Sequence, residues 1–183
     1  MAEIIYLNSE SATNRLVLLH GWGADANDLL SVGKLLTEGL KDRFEIVSFS
    51  APQPHPSGLG RQWYPLYPHE WEHVPNAVLE LEKRLNNLCF KHIPLKKTFL
   101  LGFSQGGAMA LELATRKKFG GVFALSSYSH PDWKPLKDIS PIFLCHGNID
   151  QVVPNAASQL SHDILLENGV KSDLYFFEGG HEI

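Results

Sequence analysis

The residues best placed to do chemistry are Gly102-Phe103-Ser104-Gln105-Gly106, a G-x-S-x-G run. It directly follows the apolar segment Thr98–Leu101 and opens a helical pattern predicted over Gln105–Lys117. A strand that turns sharply into a helix forces the serine into a strained conformation and holds its hydroxyl over the carboxyl end of the sheet. Glycine on either side of such a turn removes Cβ atoms that would collide. The helix start behind Ser104 supplies unpaired N–H groups and partial positive charge, both useful to an oxyanion. A serine hydroxyl needs a base, and the base needs an orienting carboxylate. Asp150 lies just past the apolar run Ile142–His146, and His181 lies just past Asp173–Phe177, in Glu178-Gly179-Gly180-His181. Nucleophile, acid and base in that order, each after a strand, point to acyl transfer by Ser104, with His181 as base and Asp150 orienting it. The oxyanion would be held by the Gln105 amide and by a second amide from the loop after an early strand. His20-Gly21-Trp22-Gly23 is that loop, which makes the Trp22 amide the candidate.

A second motif competes. His69-Glu70-Trp71-Glu72-His73 spells H-E-x-x-H, which binds zinc only when both histidines project from one helix face. Pro68 precedes it and Val74-Pro75 follows, leaving room for no more than about one to two helical turns, so no metal is expected. Trp63, Tyr64, Tyr128 and Trp133 fall in loops that an α/β fold brings to the same mouth. They are expected to line an apolar substrate pocket, or else to pack beneath a lid.

The elements that must carry these residues alternate regularly. Strands are predicted at Arg15–His20, Phe44–Phe49, Thr98–Phe103, Gly121–Ser126, Ile142–His146 and Asp173–Phe177. Between them fall a helix capped by Asn27, with Leu29, Leu30, Val32, Leu35 and Leu36 near a 3.6-residue period, and helices at Val78–Phe90 and Gln105–Lys117. A further helix at Ala156–Glu167 is capped by Asn155. Fully apolar strands alternating with helices predict an α/β fold, a mostly parallel sheet with helices on both faces. A chain of 183 residues predicts a single domain spanning 1–183. Residues 51–75 break the rhythm with repeated prolines and the aromatics Trp63, Tyr64, Tyr67 and Trp71, as expected of a lid or pocket wall.

Composition narrows the function classes. Hydrophobic residues at 44% and charged residues at 20% describe a folded globular chain rather than a disordered one. A net charge of −4, with basic residues only in short clusters such as Lys96-Lys97 and Arg116-Lys117-Lys118, argues against a nucleic-acid partner. Cys89 and Cys145 form no disulfide framework. The N-terminus lacks a signal-peptide pattern, and no apolar run approaches the ~20 residues needed to span a bilayer. The expectation is a cytoplasmic protein without integral membrane association.

Read together, Leu19-His20-Gly21-Trp22-Gly23-Ala24-Asp25, Ala51-Pro52, Gly60-Arg61-Gln62-Trp63-Tyr64, Gly102-Phe103-Ser104-Gln105-Gly106-Gly107, His146-Gly147-x-x-Asp150-x-Val152-Val153-Pro154 and Gly180-His181-Glu182-Ile183 resemble the phospholipase/carboxylesterase family of α/β-hydrolases. That family includes acyl-protein thioesterases and small bacterial esterases. The resemblance implies a triad of Ser104, Asp150 and His181, an oxyanion hole of the Trp22 and Gln105 amides, and a small-molecule ester or acyl substrate. It also implies a serine carboxylesterase working through an acyl-enzyme without a cofactor. The same triad would serve an acyl thioesterase or lysophospholipase, and a catalytically silent acyl-binding module is the alternative of another class. Two departures stand out: Trp63-Tyr64-Pro65 replaces the Trp-Phe-Asp of many relatives, and the given sequence stops two residues after His181, where relatives usually continue into a helix. A histidine base must be neutral to act, so activity is expected to fall below roughly pH 6.5.

Overall fold

A computed structural model describes residues 4–7, 10–40, 43–88 and 93–183. Seven strands form one sheet: β1 (Ile4–Leu7), β2 (Asn14–Leu19), β3 (Phe44–Phe49), β6 (Thr98–Phe103), β7 (Gly121–Leu125), β8 (Ile142–Gly147) and β9 (Ser172–Phe177). Their order is β1-β3-β2-β6-β7-β8-β9. All neighbours run parallel except β1, which pairs antiparallel with β3 at the edge. Two two-residue strands, β4 (Gln53–Pro54) and β5 (Arg61–Gln62), make a separate small hairpin.

The helices are α1 (Leu30–Thr37), α2 (Val74–Leu88), α3 (Gln105–Ala114) and α4 (Ala156–Glu167). Alternation along the strands sorts the core into two layers. Val17, Leu19, Val47, Phe49, Leu100 and Val122 face α2, α3 and α4. Leu16, Leu18, Ile46 and Leu101 face the other way, with Leu29 packed on them at the start of α1. That second face is only partly covered among the described residues, and Val32, Leu36, Phe99, Phe123, Phe143 and Cys145 line an apolar groove along it. No described helix is long and apolar enough to cross a membrane. At the β2/β3 end of the sheet, the buried Arg15 donates to Glu45 at 2.5 Å and to the Leu88 carbonyl at 3.2 Å, satisfying both charges.

Several local expectations are corrected. Asn27 does not cap α1: its backbone and side-chain amides both donate to Asp25 Oδ1, closing an Asx turn, and the cap position falls to Leu29. Leu35 and Leu36 do not face the core, being 72% and 57% exposed. The face of α1 that meets the sheet carries Gly33 and Thr37, and a Cβ at Gly33 would lie 2.9 Å from Leu18. Asn155 does occupy the cap position of α4, but its amide donates to the Asn148 carbonyl instead. Helix α2 starts at Val74 rather than Val78, because Pro75 sits in the first turn, where its missing N–H costs nothing. The expected continuation of that helix through Cys89 and Phe90 lies outside the described residues. Helix α3 ends at Ala114 rather than Lys117.

Candidate active site

Strand β6 runs into α3 through a single residue, Ser104, with φ 51° and ψ −118°. This is left-handed backbone on a residue with a Cβ, a strained state that the surroundings must enforce. They do so by close approach. A Cβ at Gly106 would lie 2.0 Å from the Leu19 carbonyl oxygen, so only glycine lets α3 begin this close to β2. The Ser104 amide donates to the Leu125 carbonyl at 2.8 Å, and Ser127 Oγ donates to the Ser104 carbonyl at 2.8 Å.

The three residues expected to act together meet. His181 Nε2 lies 3.0 Å from Ser104 Oγ, and His181 Nδ1 lies 2.7 Å from Asp150 Oδ2. A carboxylate only accepts, so Nδ1 carries the proton and Nε2 is left to accept from the serine hydroxyl. Asp150 Oδ1 accepts from the amides of Val152 and Val153 at 2.8 and 2.9 Å. Burial alone would raise the Asp150 pKa. The hydrogen bond from His181, those from Val153 and Val152, and the charge of His181 outweigh it and hold the carboxyl below its ordinary value. The loop carrying His181 is tied from both sides. The Asn148 amide donates to Phe177 O, the Ile149 amide to Gly179 O, and Ser126 Oγ to Glu182 O at 3.0 Å.

The loop after β2 is fixed by His20, a residue whose part sequence reasoning missed. Its Nε2 accepts the Ala51 amide at 2.9 Å, so Nδ1 carries the proton and donates to Gly21 O at 2.7 Å. Burial lowers the His20 pKa against the opposing pull of that bond to Gly21, which favours the neutral ring this arrangement needs. In a trans peptide the N–H opposes the C=O, so pinning the Gly21 carbonyl to His20 turns the Trp22 amide the other way.

A cavity of about 520 Å³ opens over Ser104 and His181. Trp22, Tyr67, Trp71, Phe103 and Tyr128 contribute aromatic wall, with Leu66 and Val152 among the aliphatic part. Of the expected pocket residues, Tyr128 lines this cavity, whereas Trp63, Tyr64 and Trp133 do not. Trp63 and Tyr64 are 1% and 0% exposed and belong to the core behind it. The reason is Gln105, whose side-chain oxygen accepts the Trp63 amide at 3.0 Å while its nitrogen donates to Tyr64 O at 2.8 Å. Trp63 Nε1 donates to the His20 carbonyl at 2.9 Å, drawing that stretch further inward. Tyr64 then connects inward, its hydroxyl 2.7 Å from both His130 Nε2 and the Tyr128 hydroxyl. Burial pushes the Tyr64 phenol well above its ordinary pKa and that of Tyr128 up to about 12, so both remain protonated.

Within residues 51–75, Leu66, Tyr67, His69 and Trp71 line the cavity. The H-E-x-x-H segment is not a helix. His69 stacks on Trp71 at 4.8 Å, Trp71–His73 is a single 3₁₀ turn, and His73 Nε2 pairs with Glu70 at 3.1 Å.

This architecture and this disposition of serine, histidine and aspartate define an α/β-hydrolase, and the sequence profile of the phospholipase/carboxylesterase family matches residues 2–183. The chain belongs to that family. It is 35% identical over 119 residues to acyl-protein thioesterase 1 homolog 1 of Dictyostelium discoideum, a match covering 57% of this chain and 53% of that protein, about half its length. It is 29% identical over 186 residues to acyl-protein thioesterase 1 of Cryptococcus neoformans, covering 86% of this chain and 75% of the other. Among solved structures, esterase PE8 superposes with a TM-score of 0.91 at 28% identity, covering 100% of this chain and 92% of that one.

Proposed function

We propose that the protein is a serine carboxylesterase that cleaves small-molecule esters through an acyl-enzyme at Ser104. The observation that carries this reading is the continuous hydrogen-bonded line Ser104–His181–Asp150 at the floor of an apolar cavity. Ser104 attacks the acyl carbonyl as His181 Nε2 takes its proton, and Asp150 stabilises the imidazolium that forms. The Gln105 and Trp22 amides receive the oxyanion. His181 returns the proton to the departing alcohol, then activates the water that releases the acid. Aromatic walls supply binding energy for an apolar acyl or alcohol group. The thioesterase names of the relatives support a second reading, in which the same triad cleaves an acyl thioester. Rates on an oxygen ester and its matched sulfur ester separate the two.

A fluorophosphonate is the direct test. It should add once, at Ser104, and intact mass with peptide mapping will show it. Because Asp150 is held ionised, the acid limb of the labelling rate belongs to the histidine base. The neutral base is lost as pH falls, so labelling declines toward acid pH. Rates flat to pH 4 would remove His181 from its role.

The loop after β2 gives a second prediction. His20→Leu releases the Gly21 carbonyl and leaves the buried Ala51 amide unpaired. Loss of one aligned oxyanion donor costs on the order of 10²-fold in kcat, with KM little changed. Steady-state kinetics on one neutral ester will check it.

A further inference from the structure

Asp150 Oδ2 has a second histidine. His146, on β8, is fully buried, and its Nε2 lies 3.1 Å from the same carboxylate oxygen that His181 contacts and 2.9 Å from the Val153 carbonyl. Both partners are acceptors only, so Nε2 carries a proton. On the far side, His146 Nδ1 lies 2.6 Å from Ser158 Oγ, which is in turn 3.1 Å from the Ser127 carbonyl. Ser127 Oγ donates to the carbonyl of Ser104. The polar groups therefore close a circuit from the Ser104 hydroxyl through His181, Asp150, His146, Ser158 and Ser127 back to the Ser104 backbone.

Ser158 has one hydroxyl proton and two acceptors for it. Given to His146 Nδ1, it leaves that ring neutral. Given to Ser127 O, it requires the ring to donate from both nitrogens and to be charged. In either state the Nε2–H is bonded to the Val153 carbonyl, with Nε2 3.1 Å from Asp150 Oδ2, so the aspartate accepts three hydrogen bonds, two amides on Oδ1 and His181 on Oδ2, and has the His146 ring edge against it as well.

Resting on the esterase reading, we propose that His146 is a positioning residue that shares the Asp150 charge with His181 and so sets the pH at which His181 becomes a base. The positive edge of a buried imidazole 3.1 Å from Oδ2 offsets part of the carboxylate charge, which then holds a second imidazolium less strongly. Removing His146 concentrates the charge on His181, stabilises its protonated form and moves the acid limb to higher pH. The sign is the same whether His146 is neutral or charged. The other ionisable groups around His181 are Glu182 on its own loop, which accepts the Gly180 amide, and Asp28, His69 and the phenols of Tyr67 and Tyr128 across the cavity. Among the described residues, none of these five bonds to Oδ2.

The test is the pH profile of kcat/KM on a neutral ester for the wild type, His146→Leu and His146→Gln. It is joined by ¹⁵N NMR of the histidine-labelled wild type. Leucine should lower kcat/KM on the order of 10-fold and raise the acid midpoint by about half a pH unit. Glutamine, whose side-chain amide can donate to Oδ2, should bring the midpoint back. A structural role alone would lower the rate in both variants with the midpoint fixed, and that result overturns the proposal. The NMR arm requires no variant to fold, and a His146 Nε2 without its proton overturns the proposal equally. A wild type lacking Ser104-dependent turnover fails the esterase reading instead; the His181 ¹⁵N titration midpoint, raised by His146→Leu if the proposal holds and unmoved if it fails, then decides the role of His146.

Discussion

Ser104→Ala will fold as the wild type does and lose turnover by about 10⁵-fold or more. The hydroxyl is the only atom removed, and its contact is the 3.0 Å bond to His181, so packing around the turn is untouched. Alanine must still adopt the same left-handed backbone, and the contacts that impose it, Gly106 against Leu19 and the Ser104 amide on Leu125, are all retained. Thermal unfolding of the two proteins should coincide within a few degrees, while ester hydrolysis and fluorophosphonate labelling both vanish. A variant that keeps a tenth of the wild-type rate would place the nucleophile elsewhere.

Gly147→Ala should come next in severity. A Cβ there would sit 2.2 Å from the Gly180 carbonyl oxygen and 2.4 Å from that of Gly179. Both are backbone atoms of the loop that delivers His181, so no side chain can swing aside to make room. The loop must move on the order of 1 Å, and a displacement of that size at a reacting group costs about 10²-fold in rate. Overpacking should lower stability by roughly 1–3 kcal/mol. Denaturant unfolding and steady-state kinetics measure the two effects separately. Gly169→Ala serves as the control: its positive φ of 71° penalises the fold, but nothing lies within 4 Å and the site is far away, so the rate should hold.

The parallel strands were legible because each is a short run of apolar residues closed by a polar or glycine-rich turn. Ser104, Asp150 and His181 could be picked out together because each follows such a run. Other features are decided by competing partners, some near and some distant in the chain. Strand β1 is four residues long and acquires its identity only from pairing with β3. Pro75 reads as a helix stop until Val74 is seen to be the first residue of α2. Asn27 and Asn155 have the right chemistry for caps, but Asp25 and Asn148 offer their amides better-placed acceptors. Which aromatics face the cavity was hidden for the same reason. Trp63 and Trp71 lie on one loop, and only the long-range bonds to Gln105 and His20 turn the first into core and leave the second as wall. His20 and His146 both precede a glycine in their motifs, yet their tasks follow from Ala51, Asp150 and Ser158, none of them adjacent in sequence.

Gln105 joins two things that an engineer would wish to vary separately. Its amide follows Ser104, while its side chain clasps the Trp63–Tyr64 stretch packed behind the cavity. Loop grafting, the usual route to a new specificity on a shared scaffold, therefore has a fixed hinge here. A transplanted segment must bring an amide and a carbonyl in the same register, or the turn that aims Ser104 loses its brace. Freedom to diversify begins beyond that clasp, at Leu66, Tyr67, His69 and Trp71, which line the cavity. A library confined to those positions explores substrate choice while leaving the chemistry intact.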